Sequence, residues 1–345
     1  MRYIKDGHGY KAIFDEKTGY TIRAGSNGTS PFWKENGPEL LDISITNYCE
    51  KGCDFCYRGS NKMGTHMDLE LYEKILKNAK NAGVFQIALG GGNPNQHPHF
   101  IEILKMTREY GIVPSYTTNG QGMTTEIYEA TKEYAGALAV SWYYPYDDAK
   151  RVVKEASRYN ILTNVHFVLD ADNIYQAREL LKEECLNDVN AIIFLNYKPV
   201  GAGSRNILKK GREIDSLMDE LLQFKKCQIG FDSCMISHLV EKKDVINMCS
   251  VDYCEAGRFS AFISEVGEMY PCSFMCGAGM KGSSVLDSNI GEIWRNSQGF
   301  IDIRDNISKP RNISCKKCVV FNQCHGGCPV FDINCIRKEE ENGGV

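Results

Sequence analysis

A chain of 345 residues with 40 basic and 44 acidic side chains, a net charge of −4 and no long basic block is not built for nucleic acid. No apolar stretch reaches the length of a membrane span, and Met1-Arg2-Tyr3-Ile4-Lys5-Asp6 has no apolar signal core, so the chain is expected in the cytoplasm. Fifteen cysteines without a secretory signal argue for metal or cluster ligation in a reducing compartment rather than for disulfides.

Residues 1–36 form a short N-terminal extension. Tyr10–Phe14, a turn at Asp15–Gly19 and Tyr20–Arg23 predict a β-hairpin, followed by a loop from Gly25 to Pro31. A hairpin is not stable alone in water. It is expected to cover the end of a barrel; offering an edge strand to a peptide is the alternative.

Residues 37–240 alternate apolar strands with amphipathic helices. The strands are Leu40–Thr46, Phe85–Leu89, Val113–Thr118, Leu138–Trp142, Leu162–Leu169 and Ala191–Asn196. The helices are Leu69–Ala82, Phe100–Tyr110, Thr125–Tyr134, Asp148–Tyr159, Ile174–Glu184 and Glu213–Phe224. Successive βα units predict an α/β fold with a parallel sheet, and six of them make a partial, open (β/α)6 barrel rather than a closed one of eight. Ligands of such sheets bind at the C-terminal ends of the strands.

Cys49, Cys53 and Cys56 follow the first strand in a C-x₃-C-x₂-C spacing, and so lie at that end. Three thiolates on one tight loop suit three irons of a four-iron cluster and leave the fourth iron open. The plainer alternative is a zinc site with His66 as its fourth ligand. Gly90-Gly91-Gly92-Asn93-Pro94 after the second strand lacks the spacing of a phosphate loop or dinucleotide fingerprint. The run Trp142–Tyr146 is read either as a substrate wall or as core. His166 and Cys185 are read as packed residues, and Gly201-Ala202-Gly203 as a plain loop.

Residues 241–345 are rich in glycine and cysteine. Twelve residues separate Cys254 from Gly267 and four separate Gly267 from Cys272. Then come Cys315-x₂-Cys318-x₅-Cys324-x₃-Cys328 and, last, Cys335. Thiolates so spaced suit a zinc ribbon or iron–sulfur clusters.

The Cys49–Cys56 loop and the strand before it resemble the radical S-adenosylmethionine (SAM) family. The later cysteine pattern resembles the SPASM domain that follows many such cores, and the resemblance spans about residues 39–338. It implies a partial barrel with a C-terminal iron–sulfur domain. It implies that SAM occupies the open iron, and that the reduced cluster splits SAM to a 5′-deoxyadenosyl radical that takes hydrogen from an unactivated carbon. Gly91, Gly92 and Asn93 resemble the family's GGEP segment, which contacts the SAM amino group; Asn93 stands where the family has Glu. Asn119 and Ser141 resemble contacts to the methionyl or ribose part, and Phe55 the residue against the adenine.

Two auxiliary clusters of the four-iron type are implied. One belongs to Cys315, Cys318, Cys324 and Cys335, the other to Cys254, Cys272 and Cys328. The missing ligand of the second is expected at Cys249 or Cys276, or its iron is left open for substrate. The resemblance implies a peptide substrate, cross-linked through thioether or carbon–carbon bonds. A dehydrogenase of a small molecule or protein residue is the alternative, and a non-catalytic iron–sulfur or zinc protein another. A flavodoxin- or ferredoxin-type electron donor is expected. The first 36 residues are too few for a winged-helix leader-binding domain, so the leader would be bound by a separate protein, by the hairpin, or not at all. Tyr143, Tyr144 and Cys234 are candidates for quenching a radical.

Overall fold

The computed structural model describes residues 1–345 apart from 27–30, 204, 248–249, 312, 332 and 334–345. The N-terminal extension is a three-stranded antiparallel sheet in the order β1 (Arg2–Lys5), β2 (Lys11–Phe14), β3 (Thr21–Ala24). The hairpin expected from sequence is β2–β3; β1 is an added strand. Alternation along β2 buries Ala12 and Phe14 against Phe85, Val113 and Phe259. Phe85 and Val113 stand at the entry of barrel strands, so this sheet takes the covering role at the end opposite the cysteine loop.

Arg23 fastens the cover. Its guanidinium lies 4.2 Å over the Phe259 ring and meets Glu39 at 2.9 Å, Glu255 at 2.7 Å and Asp252 at 3.0 Å.

The barrel strands are β4 (Leu40–Thr46), β5 (Gln86–Gly91), β6 (Val113–Thr118), β7 (Ala137–Ser141), β8 (Thr163–Leu169) and β9 (Ala191–Asn196), each parallel to the next. Six helices follow them: α1 (Leu69–Asn81), α2 (Phe100–Glu109), α3 (Thr125–Tyr134), α4 (Asp147–Arg158), α5 (Ile174–Lys182) and α6 (Arg212–Gln223). Their apolar stripes face the sheet: in α4, Ala149, Val152, Val153 and Ala156 are buried at the i, i+3, i+4, i+7 spacing. Side-chain oxygens of Asp68 and Thr124 cap α1 and α3.

Two further strands lengthen the parallel run. β10 (Gln228–Phe231) pairs with β9, and β11 (Ser260–Ile263) pairs with β4 from the other side. Both are four residues long, and β10 is largely half-buried, which left no periodic signal to read. β12 (Glu268–Tyr270) and β13 (Ser283–Ser284) continue antiparallel from β11, so one sheet of ten strands runs through barrel and C-terminal region with β10 and β13 as its edges. Short helices α7 (Ile236–Leu239) and α8 (Ser273–Gly277) carry chain toward the strand ends.

Candidate active site

A cavity of about 490 Å³ opens at the C-terminal ends of the parallel strands. Its wall holds Cys49, Cys53 and Cys56 together with Cys254, Cys272 and Cys328. Among the described residues no three His, Cys, Asp or Glu side chains converge on one ion-sized point. The six thiols border one shared cavity instead.

Burial, then the neighbouring Cys56 and Cys49, push the Cys53 thiol up to about 11. Burial, then Cys328 and Cys272, push Cys254 up to about 12. Thiols that oppose one another's ionisation release their protons when a cationic centre binds them. The donor sets fit iron–sulfur clusters. Asn119 Nδ2 also donates to Cys49 Sγ at 3.3 Å, and hydrogen bonds to ligand sulfurs raise a cluster's potential. Asn119→Leu is expected to lower the midpoint of that cluster by roughly tens of millivolts, read by EPR-monitored titration.

The glycine run earns its composition from close backbone approach. A Cβ on Gly91 would stand 2.1 Å from Thr46 O, and Gly91 has φ +104°; one on Gly92 would stand 2.0 Å from Tyr48 O. These glycines let the end of β5 lie flush against the cysteine loop, and both border the cavity.

Asn93 is held from within the fold. It is 1% exposed, does not line the cavity, and spends its amide on the loop after β6. Nδ2 donates to Gln121 O at 2.9 Å, and Oδ1 accepts from Asn119 N at 3.1 Å and Thr118 Oγ1 at 3.2 Å. These three hydrogen bonds tie the Asn93 amide to the loop that carries Asn119.

Ser141 lines the cavity. Phe55 does too, yet its ring is already covered: the Arg205 guanidinium sits 3.7 Å from its centroid and Tyr143 meets it edge-on at 4.8 Å. Arg205 is held there by Asp170 at 3.0 Å and Asp54 at 3.3 Å. The aromatic run divides. Trp142 is core, stacked on Tyr146; Tyr143 is wall; Tyr144 is 81% exposed.

His166, read as a packed residue, also borders the cavity. Burial lowers it to about 4, so its imidazole is neutral at pH 7. His66, the candidate zinc ligand, instead pairs with Thr46 Oγ1 through Nδ1 at 2.8 Å and is absent from the cavity wall.

The loop at Gly201–Gly203 proves to be more than a connection. Ala202 N donates to Cys56 O at 3.0 Å, and a Cβ on Gly201 (φ +78°) would lie 2.4 Å from Cys56 O and Tyr57 O. Gly201→Ala is expected to cost about 1–3 kcal/mol in urea denaturation and to lower iron retained by the Cys49 loop, because the strain falls on that loop.

Lys198 and Asn196, at the end of β9, face the same cavity with Asp232, after β10. Lys198 is ion-paired to Asp232. Burial opposes its charge, but the Asp232 carboxylate and nearby thiols raise its pKa overall. Asn196 is 2% exposed, and neither of its amide atoms has a hydrogen-bond partner. A buried amide without partners costs about 1–3 kcal/mol, which a bound ligand can recover.

Cys315, Cys318 and Cys324 do not line this cavity, and Cys324 packs on Ile236 and Val240. Cys249 and Cys335 lie outside the described residues. Cys276 does not line the cavity; its thiol accepts from Arg58 Nη1 at 2.8 Å, and Arg58 Nη2 meets Glu265 at 2.6 Å.

Comparison with known families matches residues 43–183 to the "Radical SAM superfamily" and residues 254–319 to SPASM, an "Iron-sulfur cluster-binding domain". Mycofactocin maturase MftC of Mycobacterium tuberculosis is 23% identical over 313 residues, covering 85% of this chain and 78% of that protein. PqqA peptide cyclase of Bradyrhizobium diazoefficiens is 20% identical over 328 residues, covering 84% of this chain and 81% of its own. Among solved structures, Streptococcus suis SuiB bound to precursor peptide SuiA superposes with a TM-score of 0.69 at 20% identity, over 85% of this chain and 72% of SuiB. With the cysteine loop, the open parallel barrel and the thiol-lined cavity, these matches make the chain a radical SAM enzyme with a C-terminal SPASM domain, which works with SAM, a four-iron cluster and auxiliary iron–sulfur clusters.

Proposed function

We propose that this enzyme oxidatively modifies a ribosomally synthesised peptide, forming a thioether or carbon–carbon cross-link. The observation that carries the reading is the single cavity that connects the Cys49 loop to the thiols of the C-terminal region. A substrate bound between them can lose hydrogen at one end and an electron at the other. The relatives named as peptide maturase and peptide cyclase add to this reading.

In it, Cys49, Cys53 and Cys56 hold the four-iron cluster, and Cys254, Cys272 and Cys328 hold one of two auxiliary clusters. Cys315, Cys318, Cys324 and Cys335 hold the other. When bound, the reduced four-iron cluster and SAM supply the 5′-deoxyadenosyl radical. The protein's own part is placement and exclusion of water. Gly91, Gly92, Asn119 and Ser141 shape the SAM end, with Asn93 holding Asn119. Arg205 and Tyr143 keep Phe55 fixed. Asn196 supplies unspent hydrogen-bonding groups toward SAM or peptide. The domain limits near residues 36 and 240, a cytoplasmic setting, a flavodoxin- or ferredoxin-type donor and a separate leader-binding protein belong to the same proposal. Among the described residues no helix is long and apolar enough to cross a membrane.

The test is anaerobic reconstitution with SAM, a reductant and each short peptide that any reading frame beside the gene encodes. Formation of 5′-deoxyadenosine with a peptide lighter by a pair of hydrogens supports the reading. Turnover of a small molecule with every such peptide unchanged would refute it.

A further inference from the structure

The set Cys254, Cys272 and Cys328 is one thiol short of the four that close an iron–sulfur cluster. Cys276 is turned toward Arg58 and away from the cavity wall. Another thiol stands in the gap. Cys234 lies just beyond β10, at the start of the turn that leads into α7, and borders the same cavity as Cys254, Cys272 and Cys328. Its thiol lies beside that of Cys328. The Lys198–Asp232 ion pair also lines this stretch of wall and sets a cation beside the thiols.

We propose that Cys234 is the fourth protein thiolate of the auxiliary cluster held by Cys254, Cys272 and Cys328. This rests on the reading that those three cysteines hold a cluster. On ligation the Cys234 S–H bond breaks, sulfur binds iron, and the proton leaves to solvent; no electron moves. The cluster would then join two parts of the sheet: Cys234 follows β10 at one edge, and Cys254 and Cys272 flank the β11–β12 pair, on the far side of β4. With Cys234 in that role every iron of the cluster would carry a protein ligand, which would suit it to accepting an electron rather than to binding substrate as the open-iron alternative requires.

The experiment uses the full chain with Cys49, Cys53 and Cys56 all changed to alanine, so that only auxiliary clusters remain. Iron, acid-labile sulfide, EPR of the reduced protein and binding of ¹³C-cyanide are measured with and without Cys234→Ala, Cys234→Ser and Cys276→Ala. Cyanide reports an iron that lacks a protein ligand. In the parent, no cyanide is expected to bind. Cys234→Ala is expected either to lose about half of the auxiliary iron and sulfide, or to keep them and gain a cyanide-binding iron. Cys234→Ser is expected to retain the iron with an altered EPR signal, since a serine oxygen replaces the thiolate. Cys276→Ala is expected to match the parent. Three results overturn the inference: Cys234→Ala indistinguishable from the parent in all four measurements, cyanide bound by the parent itself, or loss of iron in Cys276→Ala alone. A parent without iron and sulfide would instead strike the underlying reading, and the inference with it. Circular dichroism of each variant separates loss of a ligand from loss of the fold.

Discussion

Cys53→Ala is expected to abolish 5′-deoxyadenosine formation, a fall of more than about a thousandfold, while the protein remains folded. Two thiolates on a short loop do not retain a four-iron cluster that three retain, and without it SAM has neither an anchor nor an electron. Iron should drop by about four per chain, and the auxiliary iron should stay. The fold should survive because Cys53 is half-buried on the loop beyond β4 and carries no core packing. Circular dichroism and the urea midpoint check this, beside product assay and iron analysis. Wild-type levels of 5′-deoxyadenosine from the variant would place the radical chemistry elsewhere.

Arg23→Ala is expected to destabilise the protein by about 3–5 kcal/mol, measured by urea or thermal unfolding. The Arg23 side chain is 19% exposed, that of Glu39 5% and that of Glu255 27%. Removing the cation leaves two carboxylates facing each other out of water. The Asp252 side chain, 60% exposed, adds little. Arg23→Lys should recover only part, since an ammonium cannot reach several carboxylates as a fork.

The deficit has a definite pH dependence. Burial raises the Glu255 pKa, and Arg23 opposes that rise. Without Arg23 the folded-state value climbs further above the unfolded value of about 4.3. A carboxyl with a raised folded pKa takes up a proton on folding, so stability falls as pH rises between the two values. The variant should be weakest near neutral pH and approach the parent on acidification. A deficit independent of pH would mean that lost packing over Phe259, not charge, is responsible. Because Glu255 also lines the cavity, the variant tests whether the N-terminal cover and the thiol site are coupled.

Asn93 and Cys234 show where the reading of the chain alone stopped. Asn93 sits in a recognisable segment, and position in a motif suggested a ligand contact. The amide is hydrogen-bonded to Gln121, Asn119 and Thr118, residues some 25 positions later in the chain, brought alongside by the pairing of β5 with β6. Cys234 stands in no motif. Its nearness to Cys328 depends on β10 completing one edge of the barrel and on the C-terminal chain folding back over the strand ends.

Chelation by a short loop is a local affair: Cys49, Cys53 and Cys56 lie within eight residues, and no distant contact is needed to bring them together. The same holds for the spacing of Cys315, Cys318, Cys324 and Cys328, and for the apolar periodicity behind β4 to β9 and α1 to α6. Those features, and with them the class of chemistry, were written in the order of residues. The shape of the cavity was not. The Gly201 loop against Cys56, Arg23 among carboxylates up to 232 residues away, and β11 beside β4 follow from sheet order and long-range packing. Their energies depend on which surfaces meet in the folded chain, and spacing along the chain does not encode that.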